Sequence, residues 1–476
     1  MPPSRLLLAD TFQQLPPPWA DDPRPAIRAA RRVRPDKVVV LDDDPTGTQT
    51  VHGIPVLTAW SVDTLCAELR NDLPACFLLT NSRSLPLAAA QALNTTIGQH
   101  LRAAAQATSR AFVVVSRSDS TLRGHFPGEV TALAEALDQD FAAWLLIPFF
   151  QEGGRYTLDD VHYVAEGDWL VPAGETESAR DAVFGYQSSN LQQWVAEKTA
   201  GRIAAADVAS VSLADIRHGG PTQVTARLMG LPHGCVCIVN AVSQRDLEVF
   251  VAGLLAAEAQ GHRFLYRTAA SFVPVRADIP PRPLLRPEEL AMPEAGGGLI
   301  IVGSHVPRTS SQLDALRQQP DVVSVEVQVP VLLQDAHYAA EIARVTDAIE
   351  QALRRDTDVV VFTSRTLITG SDAQSNLAIS QRVSAGLVAV VRALTVQPRY
   401  LLAKGGITSS DVATQGLGFT RALVLGQILP GVPVWQLGPE TRYPGLSYIV
   451  FPGNVGGPQA LAEVVEALRR PTGRAR

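Results

Sequence analysis

The chain has 476 residues, of which 46% are hydrophobic and 18% charged, and its formal net charge is −6. This length predicts two domains, and the composition is typical of a soluble globular protein with a sizeable core. The negative balance, with basic residues clustered only at 28–34 and near the C-terminus, argues against a nucleic-acid partner or an anionic membrane surface.

The N-terminal apolar run is too short for a signal sequence, and no stretch approaches the roughly 20 apolar residues that a membrane span requires. The chain has four cysteines, two of which, Cys235 and Cys237, alternate along a strand-like segment. That alternation is typical of core packing rather than of a metal site or a disulfide. Together these features predict a cytoplasmic protein.

Short apolar runs alternate with helical segments along the first half of the chain. Strands are predicted at 37–43, 75–82, 111–118, 143–150, 235–242 and 263–270, and helices at 85–107 and 128–139. Near-continuous apolar strands separated by helices indicate a parallel α/β sheet that is covered on both faces. The segment 274–298 follows, and its high Pro and Gly content is typical of a linker.

The alternation restarts beyond that segment, with strands predicted at 298–305, 322–329, 358–365, 400–406, 421–426 and 447–454. We therefore predict an α/β protein made of two α/β domains with largely parallel sheets, spanning residues 36–275 and 296–476. Ligands of open parallel sheets bind beyond the carboxyl ends of the strands. We expect the active site there, in the cleft between the domains.

Polar clusters follow four of the predicted strands in the first half. They are Asp42–Asp44 with Thr46 and Gly47, Asn81–Ser84, Ser116–His125 and Pro148–Val164. Three consecutive carboxylates after a buried strand are costly without a cation or a polar ligand. Because Arg binds carboxylates and Asp, Ser and Thr bind hydroxyls, the set suits a small polyhydroxylated anion. Each cluster alone is equally compatible with ordinary turn and cap residues.

The clusters of the second half are rich in glycine instead. They are Val302–Thr309, Ala403–Asp411, Gly438–Gly445 and Phe451–Gly457. Glycine lets backbone N–H groups approach an anion closely, and a following helix N-terminus adds a favourable dipole. Neither a P-loop nor a dinucleotide-binding fingerprint is present, so these loops indicate an anion site of another kind.

The spacing of Asp42, Asp44 and Thr46 resembles the first motif of haloacid-dehalogenase-like phosphatases, in which the first Asp is a nucleophile and the second an acid/base. The later motifs of that class would have to come from Val361–Arg365 and Lys404, beyond the linker. No convincing acidic pair follows them, which makes this the weaker of two resemblances.

The ordered set of clusters resembles the four-carbon acid sugar kinase family, which pairs a sugar-acid-binding N-terminal domain with a nucleotide-binding C-terminal domain. Its N-terminal motifs are matched by Asp43, Asp44, Thr46 and Gly47, by Ser82 and Arg83, by all of Asp119–Gly124, and by Gly154, Arg155, Thr157 and His162. Its C-terminal motifs are matched by Gly303, Ser304, Thr309 and Gln312, by Gly405, Gly406 and Thr408, and by Gly453, Asn454 and Gly456. The matches cover roughly residues 36–460.

Three positions depart from the family pattern. Thr50 stands where the family usually has an Asp, and Ser116-Arg117 stands where it has a Lys pair or similar. Phe451-Pro452 precedes the last motif, where the family often has a Lys. The first two departures bear on which sugar acid is used, and the third on one contact to an ATP phosphate.

The resemblance implies transfer of the γ-phosphoryl group of ATP to a hydroxyl of a four-carbon sugar acid, such as threonate, erythronate or an oxo-tetronate, with Mg²⁺ bridging the phosphates. The implied catalytic residues are Asp43, Asp44 and Asp119. The implied substrate contacts are Arg83, Ser120, Thr121, Arg123, Arg155 and His162, and the implied ATP contacts are Ser304, Gly405, Gly406, Thr408 and Gly453.

Some alternatives stay open at this point. Asp43 or Asp44 would orient the accepting hydroxyl and take its proton, with Asp119 as the competing base. The protein ligands of Mg²⁺ are not identified, and a homo-oligomer is one option. The absence of the family Asp at Thr50 also motivates a third hypothesis, a sensor of sugar acids or nucleotides that has lost catalysis.

Overall fold

The computed structural model describes residues 4–366, 368, 373–453 and 455–469, and within these it describes the side chains outside 373–377. The chain divides into two compact units. Unit 1 comprises residues 1–54 and 59–281, and unit 2 comprises residues 55–58 and 282–476. The boundaries predicted from the sequence, 36–275 and 296–476, stay predictions.

The elements alternate along the chain between strands and helices. The strands are β1 (Leu6–Leu7), β2 (Lys37–Asp42), β3 (Ile54–Leu57), β4 (Ala75–Leu79), β5 (Phe112–Arg117), β6 (Ala143–Ile147), β7 (Arg155–Leu158), β8 (Val161–Glu166), β9 (Trp169–Pro172), β10 (Ala209–Val211), β11 (Cys235–Val239), β12 (Phe264–Thr268), β13 (Leu299–Val302), β14 (Val322–Val327), β15 (Asp358–Thr363), β16 (Leu401–Lys404), β17 (Arg421–Leu429), β18 (Val432–Leu437) and β19 (Ser447–Phe451). The α-helices are α1 (Leu8–Gln14), α2 (Arg24–Val33), α3 (Val62–Arg70), α4 (Leu87–Thr108), α5 (Gly128–Leu137), α6 (Leu191–Lys198), α7 (Leu213–Arg217), α8 (Gly220–Met229), α9 (Gln244–Ala259), α10 (Phe272–Arg276), α11 (Pro307–Arg317), α12 (Val329–Leu332), α13 (Asp335–Leu353), α14 (Ala373–Ala393), α15 (Gly406–Asp411) and α16 (Ala460–Leu468).

Unit 1 is built on a parallel sheet with the strand order β10-β11-β6-β12-β5-β2-β4. Strand β2 lies inside this sheet, and all six of its residues are buried. Strands buried on both faces read as continuous apolar runs, which is why they could be predicted from the sequence. The carboxyl ends of β2, β4, β5 and β12 lie along one edge of the sheet, where the polar clusters follow.

A second, antiparallel sheet with the order β1-β9-β8-β7 was not predicted. It uses much of the segment 148–164, which the sequence analysis treated as a loop cluster after a strand. Polar and apolar residues alternate along Arg155–Leu158 but not along Val161–Glu166, so the sequence carries only a weak strand signal here. A small apolar core that includes Leu158, Tyr163 and Leu170 holds this sheet.

Unit 2 contains the parallel strands β19-β16-β13-β15-β14, and β18 pairs antiparallel with both β17 and β19. The largely parallel α/β architecture predicted for both halves is therefore confirmed. The predicted linker 274–298 differs from expectation, because it is not simply a solvated spacer. Its Leu285 and Leu290 are buried in the core of unit 2, and the Leu285 N–H donates to the carbonyl oxygen of Gln427 at 2.7 Å.

Among the described residues, no helix has the length and apolar character needed to cross a membrane. The four cysteines are free thiols, and Cys66, Cys76 and Cys237 are buried. The predicted packing role of Cys237 agrees with this burial.

Candidate active site

The three aspartates after β2 have three different environments. Asp42 ends the strand and is 1% exposed, and Arg117 from β5 donates to its carboxylate at 3.2 Å. Gly47 covers it so closely that a Cβ atom there would lie 1.8 Å from Asp42 Oδ2. Burial raises the pKa of Asp42 to about 7, because Arg117 only partly offsets the loss of water. Gly47 and Arg117 therefore enclose the Asp42 carboxylate.

Asp44 contacts Arg83, which follows β4. Its carboxylate caps the 3₁₀ helix Pro45–Thr50 by accepting from the backbone N–H of Thr46 at 2.8 Å, and it pairs with Arg83 Nη2 at 2.5 Å. Burial by itself would raise the pKa of Asp44, but the charge of Arg83 and the hydrogen bonds from Thr46 outweigh it and lower that pKa. Asp44 is thus held as a carboxylate.

Arg83 connects the aspartates after β2 with the Asp119–Gly124 motif. Besides Asp44, its guanidinium lies 3.8 Å from Asp43 Oδ1 and 3.5 Å from Asp119 Oδ1. Its place depends on a short 3₁₀ helix, Ser82–Ser84, that begins after the left-handed residue Asn81. Burial opposes the charge of Arg83, but the three carboxylates raise its pKa. One guanidinium therefore holds three carboxylates together.

The third motif, Asp119–Gly124, forms a tight loop after β5. Asp119 accepts hydrogen bonds from Thr121 Oγ1 and from Arg123 Nε, the latter at 2.8 Å. Burial would raise the pKa of Asp119, but Arg123 and Arg83 lower it well below its usual range. The loop includes Leu122 in the left-handed region, with φ +69°. Such backbone conformations are strained in a bulky residue and cluster at functional sites.

Two buried residues that the sequence analysis did not select as site residues complete this network. Ser118 Oγ donates to Asp43 Oδ2 at 2.6 Å, and Arg267 Nη2 donates to Ser118 Oγ at 2.7 Å. Arg267 also pairs with Glu129 Oε2 at 3.3 Å. Burial raises the pKa of Asp43, and the nearby charges of Arg83 and Arg267 only oppose that rise. The sequence signal for Arg267 was a charged residue directly after the apolar run at the start of strand β12.

The next two predicted substrate residues are His162 and Arg155. His162 is fully buried, and its Nε2–H donates to the carbonyl oxygen of Ser120 at 2.8 Å, while its Nδ1 accepts from Thr157 Oγ1 at 3.0 Å. Burial lowers the pKa of His162 to about 4, so the ring is neutral. Because both ring nitrogens bond within the protein, we propose that His162 supports the Asp119–Gly124 loop in place of the predicted substrate contact. Arg155 begins β7, is half-buried, and contributes through its charge to the lowered pKa of His162.

The loop borders a small pocket. It is lined by the polar residues Ser118, Asp119, Arg123, Arg267 and Thr268 and by the apolar residues Leu122, Leu146, Pro148 and Trp194. The Thr268 hydroxyl is buried and has no hydrogen-bond partner among the described residues. An unpaired buried hydroxyl beside two arginines and a carboxylate is available to a polar ligand.

The glycine-rich loops of unit 2 also meet. A Cβ atom on Gly405 would lie 3.0 Å from Ser304 Cβ and 3.6 Å from Thr408 Oγ1, and one on Gly453 would lie 3.4 Å from Ser304 Oγ. Gly405 has φ +111°, which glycine alone adopts without strain. Helix α15 begins at Gly406. The predicted ATP residues Ser304, Gly405, Gly406, Thr408 and Gly453 therefore cluster in space.

Lys404 lies below these loops. Its ammonium donates to the carbonyl oxygen of Pro452 at 2.7 Å and lies 4.1 Å from the ring centroid of Phe451. Burial, followed by the charge of Arg308, lowers the pKa of Lys404 to about 7. Phe451, the departure from the family pattern, thus packs against a lysine from the neighbouring strand. Asn454 of the last motif lies outside the described residues.

Within the described part of the chain, no group of three or more His, Cys, Asp or Glu side chains is arranged to hold a metal ion. Asp43, Asp44 and Asp119 are paired with Arg83 and Arg123. This arrangement suits an organic anion with hydroxyl groups, since guanidinium groups bind carboxylate and the aspartates accept from hydroxyls. Thr50, which stands where the family usually has an Asp, donates a hydrogen bond from its hydroxyl to the carbonyl oxygen of Ala270 at 2.7 Å.

Comparison with known proteins gives matches along both units. Residues 38–276 match the sequence model of a sugar-binding N-terminal domain, and residues 299–461 match that of a nucleotide-binding C-terminal domain. The chain is 26% identical over 417 residues to a D-threonate kinase of Salmonella typhimurium, covering 83% of this chain and 90% of that protein.

Two solved structures are similar in fold. One, from Salmonella typhimurium LT2 and named as a tRNA synthase, has a TM-score of 0.67 at 17% identity and covers 91% of this chain and 99% of its own. The other, a Haemophilus influenzae protein of a domain-of-unknown-function family, has a TM-score of 0.61 at 18% identity, with 91% and 100% covered. At these identities the likeness concerns the fold.

Proposed function

The chain belongs to the four-carbon acid sugar kinase family, and from that premise we propose that it transfers the γ-phosphoryl group of ATP to a hydroxyl of a four-carbon sugar acid. The observation that carries the proposal is the cluster of Asp43, Asp44 and Asp119 around Arg83, with Arg123 beside it. It combines acceptors for hydroxyl groups with cations for a carboxylate.

In this proposal the sugar acid binds in unit 1. Arg123 and Arg83 contact its carboxylate, and Ser120 and Thr121 lie on the loop that contacts its hydroxyls. Asp119 already accepts from Thr121 and Arg123 and has a lowered pKa, so it is a poor proton acceptor. Asp43 has a raised pKa and an oxygen, Oδ1, without a hydrogen-bond partner among the described residues. We therefore assign Asp43 as the base and Asp44 and Asp119 to orientation.

In the reaction, the bond between the γ-phosphorus and the oxygen bridging to the β-phosphate breaks, and a bond from the substrate hydroxyl oxygen to phosphorus forms. The hydroxyl proton goes to Asp43, and ADP leaves. The nucleotide is assigned to unit 2, where Gly405 and Gly453 leave space next to Ser304 that a side chain would fill. Mg²⁺ held by the ATP phosphates would neutralise their charge. Transfer requires the two ligands to meet, so the interdomain cleft stays a prediction of this proposal.

The phosphatase alternative needs Asp42 as a nucleophile. Asp42 is buried under Gly47 and paired with Arg117, which argues against that role. The sensor alternative makes a different prediction, binding without turnover.

The test is ADP release by the purified protein with Mg-ATP and a panel of threonates, erythronates and oxo-tetronates. The proposal predicts turnover with one or a few acids, and a loss of at least 100-fold in kcat for Asp43→Asn. Stabilisation by ATP and by an acid without ADP release would favour the sensor. Phosphate release from sugar phosphates without ATP would favour the phosphatase.

A further inference from the structure

Asp43 is held by a chain of hydrogen bonds that begins on another strand. Arg267, near the end of β12, donates from Nη2 to Ser118 Oγ at 2.7 Å, and Ser118 Oγ lies 2.6 Å from Asp43 Oδ2. A hydroxyl has a single proton. Ser118 Oγ also lies 3.0 Å from the carbonyl oxygen of Arg123, so its proton has two possible acceptors. Because Arg267 occupies a lone pair of Ser118 Oγ, the proton points to Asp43 Oδ2, which is nearer than that carbonyl oxygen and charged.

This arrangement makes the two oxygens of Asp43 different. Oδ2 accepts from Ser118, whereas Oδ1 is buried and has no hydrogen-bond donor among the described residues, the Arg83 guanidinium being 3.8 Å away. We propose that Ser118 and Arg267 are positioning residues that fix the Asp43 carboxylate so that Oδ1 receives the proton of the accepting hydroxyl. The inference rests on the proposed kinase function.

A second observation points to the same three groups. Gly124, the last residue of the Asp119–Gly124 motif, has φ +128°. A Cβ atom there would lie 2.7 Å from Ser118 Oγ, 2.8 Å from Arg267 Nη2 and 3.1 Å from Asp43 Oδ2. Gly124 is therefore packed directly on the Arg267–Ser118–Asp43 contacts, and any side chain there would push them apart.

The charge around Asp43 comes from several elements. The groups are Arg83 from the 3₁₀ helix after β4, Arg117 from β5, Arg267 from β12, Glu129 from α5, Asp119 from the loop after β5, and the neighbours Asp42 and Asp44. Arg267 is tied to Ser116 Oγ at 2.8 Å and to Glu129, so it cannot swing away from Ser118 without leaving buried partners unpaired. Ser118 is the position where the chain of bonds can be cut with least disturbance.

The experiment compares Ser118→Ala with Ser118→Thr, which keeps a hydroxyl. A hydrogen bond to a charged group is worth enough to lower kcat on the order of 10- to 100-fold in Ser118→Ala. Without the donor, the pKa of Asp43 rises further, so the acid limb of the kcat–pH profile moves to higher pH. Ser118→Thr restores both quantities toward wild type.

Ser210→Ala is the matched control. Ser210 Oγ also donates to a carboxylate in unit 1, Asp160 Oδ1 at 2.5 Å, away from the cluster. The proposal predicts an unchanged kcat and pH profile for this variant. It is overturned if Ser118→Ala keeps the wild-type kcat, or if it loses activity without a displaced acid limb, as a purely structural role would predict.

A second readout does not depend on turnover. The pKa of Asp43 is raised in the folded protein, so ionisation of Asp43 costs stability as pH rises through that pKa. Ser118→Ala enlarges this cost, so its fall in Tm relative to wild type is greater at pH 8 than at pH 5. In the Asp43→Asn background the fall no longer depends on pH. If the wild type turns over no acid, the proposed function fails. The contact between Ser118 and Asp43 is tested separately by Tm, and the positioning inference also fails if the Asp43→Asn background keeps the pH dependence.

Discussion

Replacing Arg83 is the most informative test of how the cluster in unit 1 is held together. Its guanidinium has N···O separations of 2.5 Å to Asp44, 3.5 Å to Asp119 and 3.8 Å to Asp43, and its side chain is 16% exposed. At an effective dielectric constant of about 20, each pair is worth about 4–7 kcal/mol before desolvation. Desolvation offsets most of this, so Arg83→Gln should destabilise the protein by about 3–5 kcal/mol.

The destabilisation caused by Arg83→Gln should depend on pH. Arg83 lowers the pKa of Asp44 and Asp119, and that stabilisation is present above their unfolded values near pH 4 and is lost as pH falls through the lower folded values. In Arg83→Gln these carboxylates repel one another when ionised. Destabilisation is therefore full at pH 7–8 and shrinks as the pH is lowered below about 4.

Thermal unfolding followed by circular dichroism measures this, with an expected fall in Tm on the order of 6–20 °C at pH 7.5. Arg102→Gln is the control, because Arg102 forms an exposed pair with Asp138, and such pairs contribute about 0–1 kcal/mol. Equal Tm values for Arg83→Gln and wild type at pH 7.5, or a loss that does not shrink when the pH is lowered below 4, would refute the reasoning.

Three further predictions concern single positions. Gly405→Ala should weaken ATP binding in calorimetry, because its Cβ would lie 3.0 Å from Ser304 Cβ, whereas Gly418→Ala, with φ +68° and nothing within 4 Å, should leave affinity unchanged; equal affinities in both variants would contradict this. Burial lowers the pKa of Lys404 to about 7 in the folded protein, so the free energy of unfolding falls as pH falls from about 10 to 7, because the unfolded chain binds the proton first. Lys404→Met should remove that pH dependence of Tm; if Tm still falls over this range, other groups cause it. Thr268→Val removes a buried hydroxyl that has no hydrogen-bond partner among the described residues, so Tm should be equal or higher while KM for the sugar acid rises; a lower Tm would show a structural partner.

Much of the fold could be predicted because the sheet strands are buried on both faces. Runs such as Lys37–Asp42 and Asp358–Thr363 are buried throughout and read as continuous apolar segments. The antiparallel sheet of β1, β7, β8 and β9 escaped prediction because its short strands mix polar and apolar residues. One of them, β1, pairs with a partner more than 160 residues away, at Leu170. Such pairings leave no local signal.

The candidate site was predictable to the extent that its residues occur in short motifs. Asp43, Asp44, Arg83 and Asp119 are in contact in the structure, as their positions after neighbouring parallel strands suggested. Sequence could not show that one arginine bridges all three carboxylates, nor that Gly47 and Arg117 enclose Asp42. These distinctions depend on side-chain direction and burial.

His162 and Arg267 show what short motifs could not predict about the site. His162 was selected because it follows a motif, yet its ring is buried with both nitrogens bonded to the protein. Arg267 lies in a predicted strand and has no predicted role in the site, yet it reaches Ser118 and Glu129 beside Asp43. His162 was selected because it lies near a motif in the sequence. The signal for Arg267 was a charged residue beside an apolar run.

The most direct test of the kinase proposal is ³¹P NMR of the protein with Mg-ATP and the sugar acid that gives the most ADP. The proposal predicts equal growth of ADP and of a new phosphomonoester resonance, both abolished by Asp43→Asn. Growth of inorganic phosphate in place of the phosphomonoester, or no change in the ATP resonances with any acid of the panel, would contradict it.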